Sequence, residues 1–369
     1  MQLVKTQRDT LLRPLQVVSG IVERRHTLPI LANLLISKKG PDISFLSTDL
    51  ELQITTTADC GAGKGEVATT VAARKLLDIL RIMPDTEITI SLFEKRLIMQ
   101  ANKSRFQLQT MPSEDFPTMA EVTDYTASFK LPQRKFRQLL TMVHFAMAQQ
   151  DIRYYLNGML LIVDGEKIIV VATDGHRLAY YSTKIDGKKF TTLQEVIIPR
   201  KTILELHRLI EDIDDTLQID IAQNQVKFHF KQVELVSKLV EGKFPDFTRV
   251  IPAEYKNSFV INREKLYRSL QRAAIVTSDK FKGVRFAVSD DLLKISANNA
   301  ENEEAQEELE IDYSGDVLEI GFNVTYLLDV LANLKVTQLK ISLGDANSSA
   351  LITLIDSDEF KYVVMPMRI

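Results

Sequence analysis

The residues best suited to chemistry stand in one run, Thr173-Asp174-Gly175-His176-Arg177. A hydroxyl, a carboxylate, an imidazole and a guanidinium so close together could serve acid–base or nucleophilic work. Such work needs a nucleophile or a metal beside the imidazole. The five histidines are His26, His144, His176, His207 and His229, and none stands at ligand spacing from another. The run therefore reads as a turn between two strands whose rim would bind rather than react, with no catalytic residue and no metal. Gly61-Ala62-Gly63-Lys64-Gly65 lacks the spacing of a phosphate loop, which needs four residues before Gly-Lys and then Ser or Thr. A plain inter-strand loop is expected there. Tyr154 and Tyr155, beside Gln150 and Arg153, could stack on bases or fill a core. Core packing is the better reading for Tyr155.

Composition narrows the class. The chain has 369 residues, 45% hydrophobic and 26% charged, enough for sizeable cores. One cysteine, Cys60, excludes an intramolecular disulfide framework and suits a reducing compartment. The first residues lack the apolar core of a signal peptide, and no apolar run approaches a membrane span. A soluble, cytoplasmic protein is expected. The net charge of −3 speaks for nucleic-acid binding only if charge is unevenly distributed.

The elements that would position these residues form an internal repeat. Short strands at residues 3–5, 129–131 and 259–261 lead into amphipathic helices over 7–22, 133–148 and 262–276. Apolar strands follow at 30–37, 155–163 and 283–288, then a second strand pair. A second helix follows at 72–82, 199–210 and 323–334, and then three alternating strands. Phe116-Pro117 and Phe244-Pro245 close the first two copies at matching places. The pattern predicts an α+β chain of three domains, 1–125, 126–254 and 255–369, each a β-α-β-β-β unit written twice. Six helices and six small sheets result.

Charge follows this division. The six helical segments with their flanks, 7–25, 73–84, 133–149, 200–210, 262–276 and 322–335, sum to +12, so the remaining residues carry −15 to reach −3. A basic surface built from repeated helices attracts phosphates without regard to base sequence. The blander reading, that Lys and Arg are good helix formers on wet faces, leaves the scarcity of equally good acidic formers unexplained.

The chain resembles the bacterial DNA polymerase III β subunit, the sliding clamp, from end to end. The resemblance rests on six segments in order: 27–31 (TLPIL), 150–160 (QDIRYYLNGML), 172–178 (ATDGHRL), 237–240 (SKLV) with Phe244-Pro245-Asp246, 321–324 (GFNV) and 363–368 (VVMPMR). It implies a head-to-tail homodimer in which six domains form a ring, helices inside and sheets outside. The ring would encircle duplex DNA, slide, and act as a processivity factor in DNA replication, without catalysis or cofactor. It would be opened by a clamp loader ATPase. A partner cleft is implied at Leu156, Thr173, Gly175, His176, Arg177, Leu178, Pro245, Arg249, Val250, Asn323, Tyr326, Val363, Met365, Pro366 and Met367. Short peptides bearing Gln and Leu or Phe, from the replicative polymerase and other clamp-binding-motif proteins, would insert there. DNA contacts are implied at Arg25, Arg74, Gln150, Tyr154 and Tyr155. At the implied dimer interface Phe106 and Leu108 meet Ile275 and Val276, while Lys75, Lys103 and Arg105 face Glu301, Glu303 and Glu304. Independently, residues 301–310 hold six Glu and no base, which favours a basic partner or open solvent. The sequence Asp246-Phe247-Thr248 departs from a more basic family pattern and would leave the cleft rim less positive.

Two rival readings differ in what they predict. A repeat scaffold that never encircles DNA predicts that reversing the helix charges leaves DNA retention unchanged. A nucleic-acid enzyme using His176 predicts turnover that His176→Ala abolishes.

Overall fold

Apolar residues recur at helical spacing in six places and at strand spacing in four times as many. The structure, a computed structural model, describes residues 1–23, 28–60, 65–185, 190–253, 255–278 and 282–368. Copy one runs β1 (Gln2–Gln7), α1 (Arg8–Val18), β2 (Asn33–Lys39), β3 (Asp42–Thr48), β4 (Leu52–Asp59), then β5 (Glu66–Ala72), α2 (Ala73–Ile82), β6 (Glu87–Phe93), β7 (Arg96–Ala101) and β8 (Ser104–Met111). Copy two runs β9 (Ala127–Pro132), α3 (Gln133–Val143), β10 (Gly158–Gly165), β11 (Lys167–Thr173), β12 (Arg177–Lys184), then β13 (Phe190–Pro199), α4 (Arg200–Leu209), β14 (Thr216–Ile221), β15 (Gln225–Phe230) and β16 (Val233–Lys238). Copy three runs β17 (Asn257–Asn262), α5 (Arg263–Ala274), β18 (Gly283–Ser289), β19 (Leu292–Asn298), β20 (Glu304–Glu310), then β21 (Leu318–Asn323), α6 (Val324–Asn333), β22 (Gln338–Leu343), β23 (Ala350–Leu354) and β24 (Ser357–Val364). The β-α-β-β-β unit is thus written six times.

In every copy the first strand of each half pairs with the strands of the other half, as β1 does with β6 and β5 with β2. Each half-copy therefore needs its twin to complete a sheet. The expected six separate sheets do not occur. Four-stranded blocks fuse instead into sheets of twelve, eight and four strands through β8–β5, β4–β16 and β12–β24. An open strand edge is a row of unpaired amides and carbonyls, and pairing across the copy junctions satisfies it.

Two compact units result. The first holds Met1–Arg134 and Arg208–Leu239 and contains the twelve-stranded sheet. Its core packs Leu11, Leu15 and Val18 of α1 and Leu76, Leu77 and Leu80 of α2 against inward residues such as Phe45, Ile54 and Ile88. The second holds Lys135–His207 and Val240–Ile369 and contains the other two sheets. There Leu266, Leu270 and Ala273 of α5 form a buried stripe at helical spacing beside Phe286 and Phe322. Asn262 and Asn323 cap α5 and α6, their side chains accepting from Lys265 N and Thr325 N.

Several expected boundaries move. Residues 29–32 and 154–156 form 3-10 turns ahead of β2 and β10 rather than their first residues. Helix α1 stops at Val18 and α3 at Val143, each running into a 3-10 turn. In α1, Pro14 sits inside the helix and removes one backbone donor.

The helical charge is also partly internal. Arg8 Nη1 donates to Met83 O at 2.7 Å, just past α2. Arg263 Nη1 reaches Leu331 O of α6 at 3.0 Å, and Arg137 Nη1 reaches His207 O of α4 at 2.9 Å. These guanidinium groups satisfy carbonyls at the ends of neighbouring helices, where the helix dipole favours a cation. Counting charge from sequence therefore overstates what is free to meet phosphate.

Candidate functional site

The Thr173–Arg177 turn joins β11 to β12 and is built by its own side chains. Thr173 Oγ1 donates to Arg177 O at 2.6 Å and accepts from Gly175 N at 3.1 Å. Asp174 Oδ1 accepts from His176 N at 2.9 Å and Arg177 N at 3.0 Å. Gly175 holds φ +89°, and a Cβ there would lie 2.9 Å from Arg153 Nη2. Glycine is favoured at that φ, and a side chain there would require the Arg153 guanidinium to shift.

Arg153 sits over this turn. Its Nε and Nη2 grip both oxygens of Asp151 at 3.0 and 2.9 Å, and Nη2 also donates to Asp174 O at 3.3 Å. The hydrogen bonds from Arg153 pull the Asp151 carboxyl down to about 2.

Beside the turn lies an apolar cavity of about 160 Å³. Its floor comes from neighbouring strands, where Leu178 of β12 stands opposite Val363 of β24. One wall is the segment from Phe244 to Val250, and the other is Tyr155 and Leu156. Buried Leu160, Ile162, Val171, Ile197 and Leu351 support it from beneath. Met365 N continues the ladder by donating to His176 O at 2.9 Å, which sets the Met365 side chain at the mouth. A flexible thioether at the entrance of an apolar hollow suits ligands of varied shape.

Of the residues expected in a partner cleft, Leu156, Thr173, Gly175, Arg177, Leu178, Pro245, Val250, Val363 and Met365 line this cavity. The others do not. His176 and Tyr326 stack at 6.5 Å and line an adjacent polar hollow of about 560 Å³. Asn323 is occupied as the α6 cap. Arg249, its side chain 86% exposed, pairs with Asp246 at 2.9 Å. Pro366 and Met367 border a further hollow with Arg285 and Glu319. Four lining residues went unassigned in the sequence reading of the cleft: Arg153, Tyr155, Phe244 and Phe247. Phe244 had a usable signal, since Phe-Pro recurs at the end of copies one and two. Phe247, within the Asp246-Phe247-Thr248 departure, approaches the Tyr180 ring at 6.1 Å. The departure thus adds an aromatic wall while its acid neutralises Arg249.

The expected DNA residues fare unevenly. Arg25 lies outside the described residues. Arg74 is exposed on α2, with Nη2 on Val22 O at 2.8 Å. Gln150 is exposed with φ +56°. Tyr154 is 57% exposed. Tyr155 is half-buried, packs on the apolar cluster below the cavity and lines the cavity itself, as its core reading expected.

The expected interface residues all stand at open positions. Strand β20 ends its sheet, and β8 meets β5 only through Thr110 and Met111, leaving Ser104–Gln109 unpaired on that side. Lys75, Lys103, Arg105, Glu301, Glu303 and Glu304 are exposed, and Phe106, Leu108 and Val276 are half-buried. Ile275 is 82% exposed. Among the described residues no group of three or more His, Cys, Asp or Glu could hold a metal ion. No described helix is long and apolar enough to cross a membrane.

Comparison with known proteins gives one answer. The N-terminal, central and C-terminal domains of the DNA polymerase III beta subunit match residues 1–120, 130–246 and 248–368. The beta sliding clamp of Pseudomonas aeruginosa is 46% identical over 367 residues, covering 98% of this chain and 99% of that protein. That of Escherichia coli K12 is 43% identical over 364 residues, with 98% and 99% covered. The crystal structure of the P. aeruginosa sliding clamp bound to griselimycin superposes with a TM-score of 0.96, at 45% identity and full coverage of both chains. Fold and site define a protein of the DNA-clamp class, three repeated α+β domains and no catalytic role. The chain belongs to the DNA polymerase III beta subunit family.

Proposed function

We propose that this chain is a processivity factor in DNA replication that tethers the polymerase to duplex DNA. In this reading two copies, each of domains 1–125, 126–254 and 255–369, close head to tail into a ring. DNA passes through it and is held by topology, with loose, sequence-blind phosphate contacts. Arg25, Arg74, Gln150, Tyr154 and the exposed side of Tyr155 contact the duplex. A separate ATPase loader opens the ring, and the protein works in the cytoplasm.

The observation that carries the reading is the cavity between Leu178, Val363, Phe244 and Met365. It is apolar and concave, and its rim offers the polar groups of the Thr173–Arg177 turn. Such a site suits apolar side chains anchored from a short extended peptide. The replicative polymerase and other proteins carrying such a peptide would share it.

Two open edges support the ring. Strand β8 and the turn before it present Arg105 and Lys103, and β20 and its approach present Glu301, Glu303 and Glu304. Edge strands left open invite pairing with another chain, and opposite charge selects which. Phe106 and Leu108 against a partner copy's third-domain pair, exposed Ile275 and half-buried Val276, would supply the apolar contact.

The test is retention on nicked circular DNA after loading, before and after the circle is cut. Retention on circles with run-off from linear DNA is expected. Equal retention on both would mean ordinary electrostatic binding and would return the scaffold reading.

A further inference from the structure

Arg177 forms the partition between two hollows. It lines the apolar cleft on one side and the 560 Å³ polar hollow on the other. Its side chain is 9% exposed, so a full charge stands beside an apolar cavity with little water to solvate it. Protein groups take the place of water. Nε donates to Asp174 Oδ2 at 3.0 Å, Nη1 to Asp329 Oδ2 at 2.6 Å and Nη2 to Phe145 O at 2.7 Å. The guanidinium carbon also lies 4.5 Å from the centroid of the Tyr326 ring.

These anchors are not equivalent. Asp174 belongs to the same turn as Arg177, three residues earlier, and moves with it. Phe145 O, in the 3-10 turn after α3, is neutral. Among the described residues, Asp329, on α6, is the only carboxylate from another element that holds the guanidinium. It borders the polar hollow and is absent from the lining of the apolar cavity that would take the peptide's apolar side chains.

We propose that Asp329 is a positioning residue for peptide binding, acting through Arg177. It draws the guanidinium toward α6 and keeps the cleft wall apolar and open. Without it, Arg177 retains its charge and loses its strongest outside partner. The guanidinium, released on its α6 side, can then turn within the partition between hollow and cleft, and wherever it enters the cleft it competes with an incoming apolar side chain. A group that orients a binding residue without touching the ligand affects affinity through geometry. Removing one carboxylate from a buried guanidinium leaves it under-compensated, here with Asp174 alone.

The inference rests on the cleft reading, and the wild-type chain separates the two. The probe is a fluorescein-labelled five-residue peptide bearing Gln, Leu and Phe, titrated by anisotropy against full-length wild type, Asp329→Ala, Asp329→Asn and Asp329→Glu. Binding by wild type is expected, weakened about tenfold or more in Asp329→Ala and severalfold in Asp329→Asn. Asp329→Glu, which keeps the charge, recovers most of the affinity. The Arg177 Nε resonance should be sharp and displaced in wild type and Asp329→Glu, and average with the other arginines in Asp329→Asn. A merely structural role would leave that signature unmoved. Wild-type affinity in Asp329→Asn, the variant that conserves shape, overturns the inference. No binding by wild type overturns the cleft reading, and the inference with it.

Discussion

Leu50 and Gly175 occupy the same position of the same turn in copies one and two, and both hold positive φ, +79° and +89°. Around Leu50, Thr48 Oγ1 donates to Leu52 O and accepts from Leu50 N, both at 3.0 Å. Asp49 Oδ1 accepts from Glu51 N at 2.9 Å and Leu52 N at 2.7 Å. Thr173 and Asp174 make the same four bonds around Gly175. One copy tolerates a side chain in the left-handed region, and the other has a guanidinium where that side chain would go.

Leu50→Gly should therefore stabilise the protein. A branched residue at positive φ costs about 1 kcal/mol or more, partly offset by the entropy of a new glycine. The expected net gain, up to about 1 kcal/mol, is read from urea unfolding at constant slope. No gain would mean that the packing of Leu50, 36% exposed, offsets its strain.

Gly175→Ala should act in the opposite direction and at the cleft. Its Cβ would press on Arg153 Nη2 and lift that side chain from Asp174 O. A stability loss of about 1 kcal/mol is expected from backbone strain. Peptide affinity, measured by calorimetry, should fall severalfold. Unchanged affinity would show that Arg153 does not shape the wall.

Ile275→Ala combined with Val276→Ala should weaken the dimer without unfolding the chain. Ile275 packs on little within its own chain, so its removal costs the fold almost nothing. Buried in an interface, the two would contribute about 2 kcal/mol together. Sedimentation at low concentration should show monomer in the variant and dimer in the wild type. An unchanged profile counts against this interface.

Stability should fall on mild acidification through a stacked histidine pair. The His144 and His207 rings lie 4.6 Å apart, and His207 Nε2 is 3.0 Å from Thr141 Oγ1. Burial first, then His144 and Arg137, push His207 down to about 4. A folded-state value below the unfolded 6.5 means the unfolded chain binds the extra proton between those limits. The contribution is whole above pH 6.5 and lost progressively toward pH 4. Its size is on the order of 1 kcal/mol after discounting for solvent at a half-exposed ring. Unfolding free energy measured across that range should vary less in His207→Gln, and an identical pH profile would remove the pair from the account.

Much of the fold was legible because it repeats. Six apolar stripes at helical spacing, with caps such as Asn262 and Asn323, are local properties, and strand alternation places each block's inner face. The turn at Asp174 was legible for the same reason, since its bonds span only a few residues. Tyr155 was read two ways, as core and as a DNA contact, because an aromatic beside a basic loop satisfies either pattern. Its burial depends on Leu160 and Ile162 of β10 and also on Phe244, which lies far along the chain from them.

The sequence by itself determined the sixfold β-α-β-β-β order, the apolar face of each element and the gathering of basic residues on helices. These follow from spacing and from side-chain chemistry within one turn or strand. Only the tertiary structure decided which edges meet, and so where the cleft lies. Leu178 faces Val363 because β12 pairs with β24 across nearly two hundred residues, and no local signal selects one open edge over another. The same is true of Arg177 and Asp329. Each is an ordinary charged residue in its own segment, and they become a pair when the fold buries the guanidinium and brings the carboxylate within 2.6 Å of it.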